Sequence, residues 1–192
     1  MDYEASVGLS RKQIRLIAKY FRKMFEIKTI LFPVMTVLEL LVNKFSNVLY
    51  YSVEDDDDFE YGVMATLVEN IEDNESMYCI RIKNSVYDDA IKGDGASLGF
   101  ICHEMCHFVL IHILGIGPKI YINTNGIAYT RVIEPRSLPL FKSMEWQAKA
   151  LCGEAMIPYE KCKDHTLEQI VKETNSSVEQ AKFFLKNVAK NE

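Results

Sequence analysis

The chain has no CxxC pair, no excess of positive charge and only four histidines in 192 residues. Each shortage closes off a class of function. Five cysteines (Cys79, Cys102, Cys106, Cys152, Cys162) are odd in number and scattered, so a disulfide framework is not expected, and all five read as reduced, buried small hydrophobes. Lys and Arg number 22 against 27 Asp and Glu, a net charge of −5. Nothing in that balance draws the chain to phosphate backbones or anionic lipid. The stretch that reads as most apolar, Ile30 to Val42, is shorter than the about 20 residues of a membrane span and carries Pro33, Thr36 and Glu39, so it is assigned to the core. Met1 to Glu4 lack the basic and then apolar pattern of a secretory leader, and the expected location is the cytoplasm.

What remains is a chain with 48% hydrophobic and 26% charged residues, enough to bury a core and too apolar for wholesale disorder. Ser10 and Gln13 form a capping box before an amphipathic helix with Ile14, Ile17, Ala18, Phe21 and Phe25 on one face. A second helix is expected from Pro33 to Phe45. Val48–Val53, Tyr61–Val68 and Met77–Lys83 are rich in Tyr, Val, Ile and Thr, which predicts a small, mainly antiparallel sheet. The acidic run Glu54 to Glu60 lacks the glycine and ligand spacing of a calcium loop and reads as a solvated connection. Asn84 or Ser85 is expected to cap a short helix through Ile91. A long apolar helix then covers about Ser97 to Leu114, stopped by Gly115 and Gly117-Pro118. Residues 116 to 142 read as an irregular connection holding a short hairpin, Tyr121 to Arg131. A further helix runs from Ser143 to Ile157, and two short ones, Thr166–Lys172 and Ser177–Asn187, end the chain. The fold class is α+β.

In the middle of the apolar helix stands His103-Glu104-Met105-Cys106-His107, an HExxH sequence. With 4 His and 17 Glu in the chain, chance supplies this pattern about once in 140 such chains. At 3.6 residues per turn the two histidines lie about 40° apart and one turn from each other, so both imidazoles reach a single metal ion. Glu104, about 100° round from His103, is placed to bond a water there without ligating. That geometry suits zinc hydrolysis, which uses three protein ligands and an open position. His112 lies about 140° beyond His107 and points away. A carboxylate from the later helix is the natural third ligand: Glu145 opens that helix with small neighbours, Ala148 and Cys152, on its face. Glu154 and Glu134 compete with it, each with a solvated carboxylate as its default reading.

Ser143 to Pro158 (SMEWQAKALCGEAMIP), beginning 36 residues after His107, resembles the second signature of the ImmA/IrrE family of metallopeptidases, in which a Glu, an Ala three later and a closing hydrophobic-Pro pair follow an HExGH helix. Asn84 to His107 (NSVYDDAIKGDGASLGFICHEMCH) resembles the family's approach to its active-site helix. The resemblance implies a minimal zincin-like domain over 1–160 with a C-terminal helix pair, 161–192, packed on it. It implies Zn2+ held by His103, His107 and Glu145, with Glu104 as catalytic base, and a helix-turn-helix repressor of a phage or mobile element as the protein cut. Cys106 stands where the family has Gly. Tyr87, Tyr129, Arg131 and His165 are open as oxyanion donors.

The last two helices have a helix-turn-helix look, but the second opens Ser177, Val178, Glu179, Gln180 with no basic residue at its start, so a packed helix pair is expected rather than a DNA reader. A second reading of the whole is a non-catalytic binding module that keeps a structural zinc site, the fourth position closed by Cys106 or another side chain.

Overall fold

Helix α1 (Arg11–Met24) begins where Ser10 and Gln13 bond reciprocally: the Gln13 N–H donates to Ser10 Oγ at 3.3 Å and the Ser10 N–H to Gln13 Oε1 at 2.9 Å. This is visible in a computed structural model that describes residues 2–72, 75–123, 126–129 and 138–189. Ile14, Ala18 and Phe21 are buried on one face of α1. Arg22 is buried with them, its guanidinium donating to the Ala155 carbonyl at 2.5 Å and to Thr29 and Ile30. Helix α2 (Val34–Lys44) buries Val34, Val37, Leu38 and Leu41, with Pro33 just outside it as the cap.

Three strands follow, β1 (Leu49–Glu54), β2 (Ala65–Glu72) and β3 (Glu75–Lys83), in the spatial order β1-β3-β2. β2 and β3 pair antiparallel from Ala65↔Ile82 onward, whereas β1 pairs parallel to β3 from Leu49↔Tyr78. The sheet is therefore mixed. The chain leaves β1, crosses to the far edge as β2 and returns as β3 between the two, an arrangement that strand composition does not encode.

Helix α3 (Asn84–Ile91) takes no cap from Asn84 or Ser85; Lys83 holds the cap position without a side-chain bond. The Ser85 N–H instead donates to the Asp56 carboxylate, 3.1 Å away, so part of the acidic connection serves as a cap from outside the helix. Such a carboxylate satisfies an orphan donor and opposes the positive end of the helix dipole. Asp94 caps α4 (Gly95–Phe108) by accepting from the Ser97 N–H at 2.8 Å. The helix continues as a π turn over Val109–Ile113. Together, Gly95–Ile113 make 19 residues, long and apolar enough on those grounds alone to cross a bilayer, and 56% of that stretch is buried in this fold. This is the long apolar helix expected over about Ser97 to Leu114.

Strands β4 (Ile120–Asn123) and β5 (Gly126–Tyr129) pair antiparallel as the expected hairpin, of which Arg131 lies outside the described residues. Helix α5 (Met144–Met156) packs against α1 and α4, and α6 (Tyr159–Cys162), α7 (Leu167–Thr174) and α8 (Val178–Asn187) complete the chain. The turn between α7 and α8 presses on the start of α4. A Cβ at Gly95 would come within 2.6 Å of the Ser176 backbone and 2.7 Å of the Ser177 nitrogen, so only glycine permits this approach. All five cysteines are buried and free, as expected.

Candidate metal centre

Two helices build the site, and capping fixes where each starts. Ser143 accepts from the Trp146 N–H at 2.9 Å, which sets Glu145 in the first turn of α5. Asp2, far away in sequence, accepts from Ser143 Oγ at 2.6 Å and from the Glu145 N–H at 3.2 Å. The start of α5 is thereby tied to the N-terminal segment. Small buried residues on α5, Ala148 and Cys152, let it lie close to α4; Cys152 Sγ is 3.6 Å from the Gly99 carbonyl oxygen.

From α4, His103 and His107 bring their Nε2 atoms within 3.1 Å of each other. Glu145 faces both, with one oxygen 3.3 Å from His103 Nε2 and the other 3.3 Å from His107 Nε2. These are the only residues among those described whose ligand atoms gather within 4.8 Å as a possible metal cluster. An ion with four tetrahedral ligands at about 2.0–2.1 Å separates neighbouring ligand atoms by about 3.3–3.4 Å. The two imidazole nitrogens stand close to that spacing, and each has one Glu145 oxygen 3.3 Å away, an arrangement consistent with a site for a single divalent ion.

Electrostatics follow from the same contacts. Burial works against the charge of Glu145, yet its bonds to His103 and His107 overcome it and hold the carboxyl well below the ordinary range. Burial works against a charged His103, while Glu145 and Glu104 outweigh it and raise the imidazole's pKa. Glu104 sits beside the cluster, 4.0 Å from His103 Nε2. Its other oxygen accepts the Leu67 N–H at 2.7 Å. Burial raises the Glu104 pKa above the usual carboxylate value, although both histidines and the Leu67 N–H oppose the shift. The Leu67 contact reflects the sheet's edge: Lys83 N–H bonds the Met64 carbonyl, so alternate residues of β2, Leu67 among them, turn their amides away from β3. A backbone donor of this kind leaves no mark in the side-chain sequence.

Other candidates fall elsewhere. Glu154 is buried, not solvated: Arg15 reaches it at 3.2 and 3.3 Å and Arg11 at 4.0 Å, so it anchors α1 to α5. The helical face opposite Glu145 is simply the one that meets α1. Glu134 lies outside the described residues. His112 points away from the cluster and stacks on Phe108 with ring centroids 5.0 Å apart, edge-on to Phe45 and Tyr78. Cys106 is fully buried and shares bonds with Cys102 and Cys152. Bonds with Cys106 and Cys152, and then burial, push the Cys102 thiol up, and burial does the same for Cys106. Of the proposed oxyanion donors, Tyr87 stacks on Tyr51 and His165 pairs with Glu173 at 3.4 Å. The side chains of Tyr129 and Arg131 lie outside the described residues.

No protein-family profile, curated protein or solved structure matches this chain. The His-His-Glu cluster, on a helix packed against a Glu-bearing helix, is consistent with a zincin-like metal site.

Proposed function

We propose that this chain is a zinc-dependent metallopeptidase of the ImmA/IrrE kind, acting in the cytoplasm on a helix-turn-helix repressor of a phage or mobile element. The observation that carries the reading is the convergence of His103, His107 and Glu145 at 3.1–3.3 Å, with a fourth group, Glu104, held beside them but outside the ligand set. His103, His107 and Glu145 would hold Zn2+. Bound there, zinc would act as a Lewis acid and bring the pKa of a water toward about 7. Glu104, aimed by the Leu67 N–H, accepts the proton of the attacking water and returns it to the leaving amine. The repressor as substrate rests on the resemblance of Ser143 to Pro158 and Asn84 to His107 to the family's signatures. A net charge of −5 and the acidic opening of α8 argue against direct nucleic-acid binding, and the burial of most of the long apolar helix argues against a membrane role.

The reading of a non-catalytic module draws on closure of the site by Cys106. Since Cys106 is enclosed in the core with Cys102 and Cys152, the peptidase reading is the better supported. Incubation with the repressor encoded beside the gene tests it: the wild type cuts at one or few bonds, and Glu104→Gln slows the cut by a factor of about 100 to 10,000 while keeping zinc and fold. A Glu104→Gln protein that still relieves repression in cells, when His103→Ala does not, would refute catalysis.

A further inference from the structure

Residues 2–6 join the chain that leaves the His-bearing helix to the chain that enters α5. On one side the Ser6 N–H donates to the Gly117 carbonyl at 2.9 Å, and the Lys119 N–H to the Glu4 carbonyl at 2.7 Å. On the other side the Ala5 N–H donates to the Lys142 carbonyl at 2.7 Å, and the Met144 N–H to the Tyr3 carbonyl at 3.1 Å. Each side forms an antiparallel bridge, Ala5↔Pro118 and Glu4↔Ser143. The Glu4 carboxylate adds ion pairs to Lys119 and Lys142, 3.2 and 3.4 Å away. One short extended segment thereby staples the exit of the His-bearing helix to the entry of the Glu-bearing one.

The staple ends on Glu145. Asp2 Oδ1 accepts the Glu145 N–H at 3.2 Å and the Tyr3 N–H at 2.8 Å, while Asp2 Oδ2 accepts from Ser143 Oγ at 2.6 Å. Ser143 is the cap, so Glu145 is the second residue of the helix, and its N–H is among those that no helix carbonyl satisfies. The Ser143 side chain already serves the Trp146 N–H. Asp2 takes a donor that the cap leaves over, and that donor belongs to the third ligand candidate itself. The Glu145 side chain is 35% exposed, against 17% and 11% for His103 and His107, so packing confines it less than either imidazole. Fixing its backbone is the means left to present its carboxylate to both nitrogens.

We infer that Asp2 is a positioning residue for the metal centre: by holding the Glu145 N–H it fixes the first turn of α5, so that the Glu145 carboxylate stands ready for the ion. The inference rests on the reading of His103, His107 and Glu145 as zinc ligands. Partners that orient a metal ligand are worth about 10–100-fold in metal affinity. A cap that served stability alone would leave the zinc affinity of the folded protein unchanged.

Zinc affinity of the full chain, measured by competition with a chromophoric chelator at fixed pH, tests the role. Asp2→Ala should weaken zinc binding by about 10–100-fold, while Asp2→Asn, which keeps an oxygen facing the Glu145 N–H, stays within about threefold of wild type. Glu4→Gln cuts the ion pairs of the same segment without touching Glu145, and its affinity stays within about twofold. Wild-type affinity in Asp2→Ala overturns the inference and leaves the metal centre standing, as does an equal loss in Glu4→Gln, the mark of a general loosening. An Asp2→Asn protein as weak as Asp2→Ala also overturns it, because charge near the ion, and not the Glu145 amide, is then the cause. Failure of the wild type to bind zinc refutes the metal-centre reading, and the positioning role falls with it. Should Asp2→Ala not fold, Asp2→Ser replaces it: the hydroxyl stops a bond short of the Glu145 N–H, so lost affinity supports the role and wild-type affinity contradicts it.

Discussion

Cys106 precedes the ligand candidate His107 in the HExxH turn and is buried in the core. Cys106→Gly should therefore leave zinc content unchanged while lowering stability. A glycine inside a helix costs about 1 kcal/mol relative to alanine, and the lost buried thiol adds a cavity worth about 1–2 kcal/mol. A denaturation midpoint shifted by that sum, with one zinc retained, is the expected result; zinc lost from a folded variant would make the thiol a ligand. The carboxylates behave oppositely. Glu145 touches both imidazoles, and Glu145→Ala should abolish stoichiometric zinc, as should His103→Ala, measured by elemental analysis after gel filtration. Zinc retained at full occupancy in Glu145→Ala would move the third ligand elsewhere, and Glu154 is not available for the part because Arg15 holds it.

At the level of elements, the α1–α5 contact is where Glu154 acts. The carboxylate is nearly inaccessible, while Arg15 keeps some exposure and lies over the Tyr159 ring with its guanidinium carbon 3.6 Å from the ring centroid. Removing one partner of a fully buried pair costs about 3–5 kcal/mol; with Arg15 partly in water, Glu154→Ala should cost about 1–3 kcal/mol. Chemical unfolding checks the cost, and unchanged zinc in the same variant separates this carboxylate from Glu145. The elements themselves divide by the range of the interaction that makes them. The Ser10–Gln13 box, the HExxH spacing and the Glu145 helix start are patterns within a few residues, and they were legible in the sequence. The parallel β1–β3 pairing, the Asp56 cap on α3, the Asp2 tie to α5 and the Leu67 bond to Glu104 join residues 29 to 143 positions apart or use backbone atoms. No local pattern announces such pairs. The burial of Glu154 belongs with them, since its partner sits 139 residues away.

For the molecule as a whole, the long apolar helix unites the account: its inner faces fill the core, its His-bearing turn meets Glu145, and its first turns are clasped by the α7–α8 turn at Gly95. The C-terminal helix pair thus supports the His-bearing helix. The central claim is a zinc ion held by nitrogen and oxygen donors on α4 and α5. X-ray absorption at the zinc edge, on protein carrying one zinc per chain, tests it most directly. The account predicts only nitrogen and oxygen neighbours at about 2.0–2.1 Å, two of them with the outer-shell scattering of imidazole. A sulfur shell at about 2.3 Å would place zinc on the buried cysteines instead and contradict it.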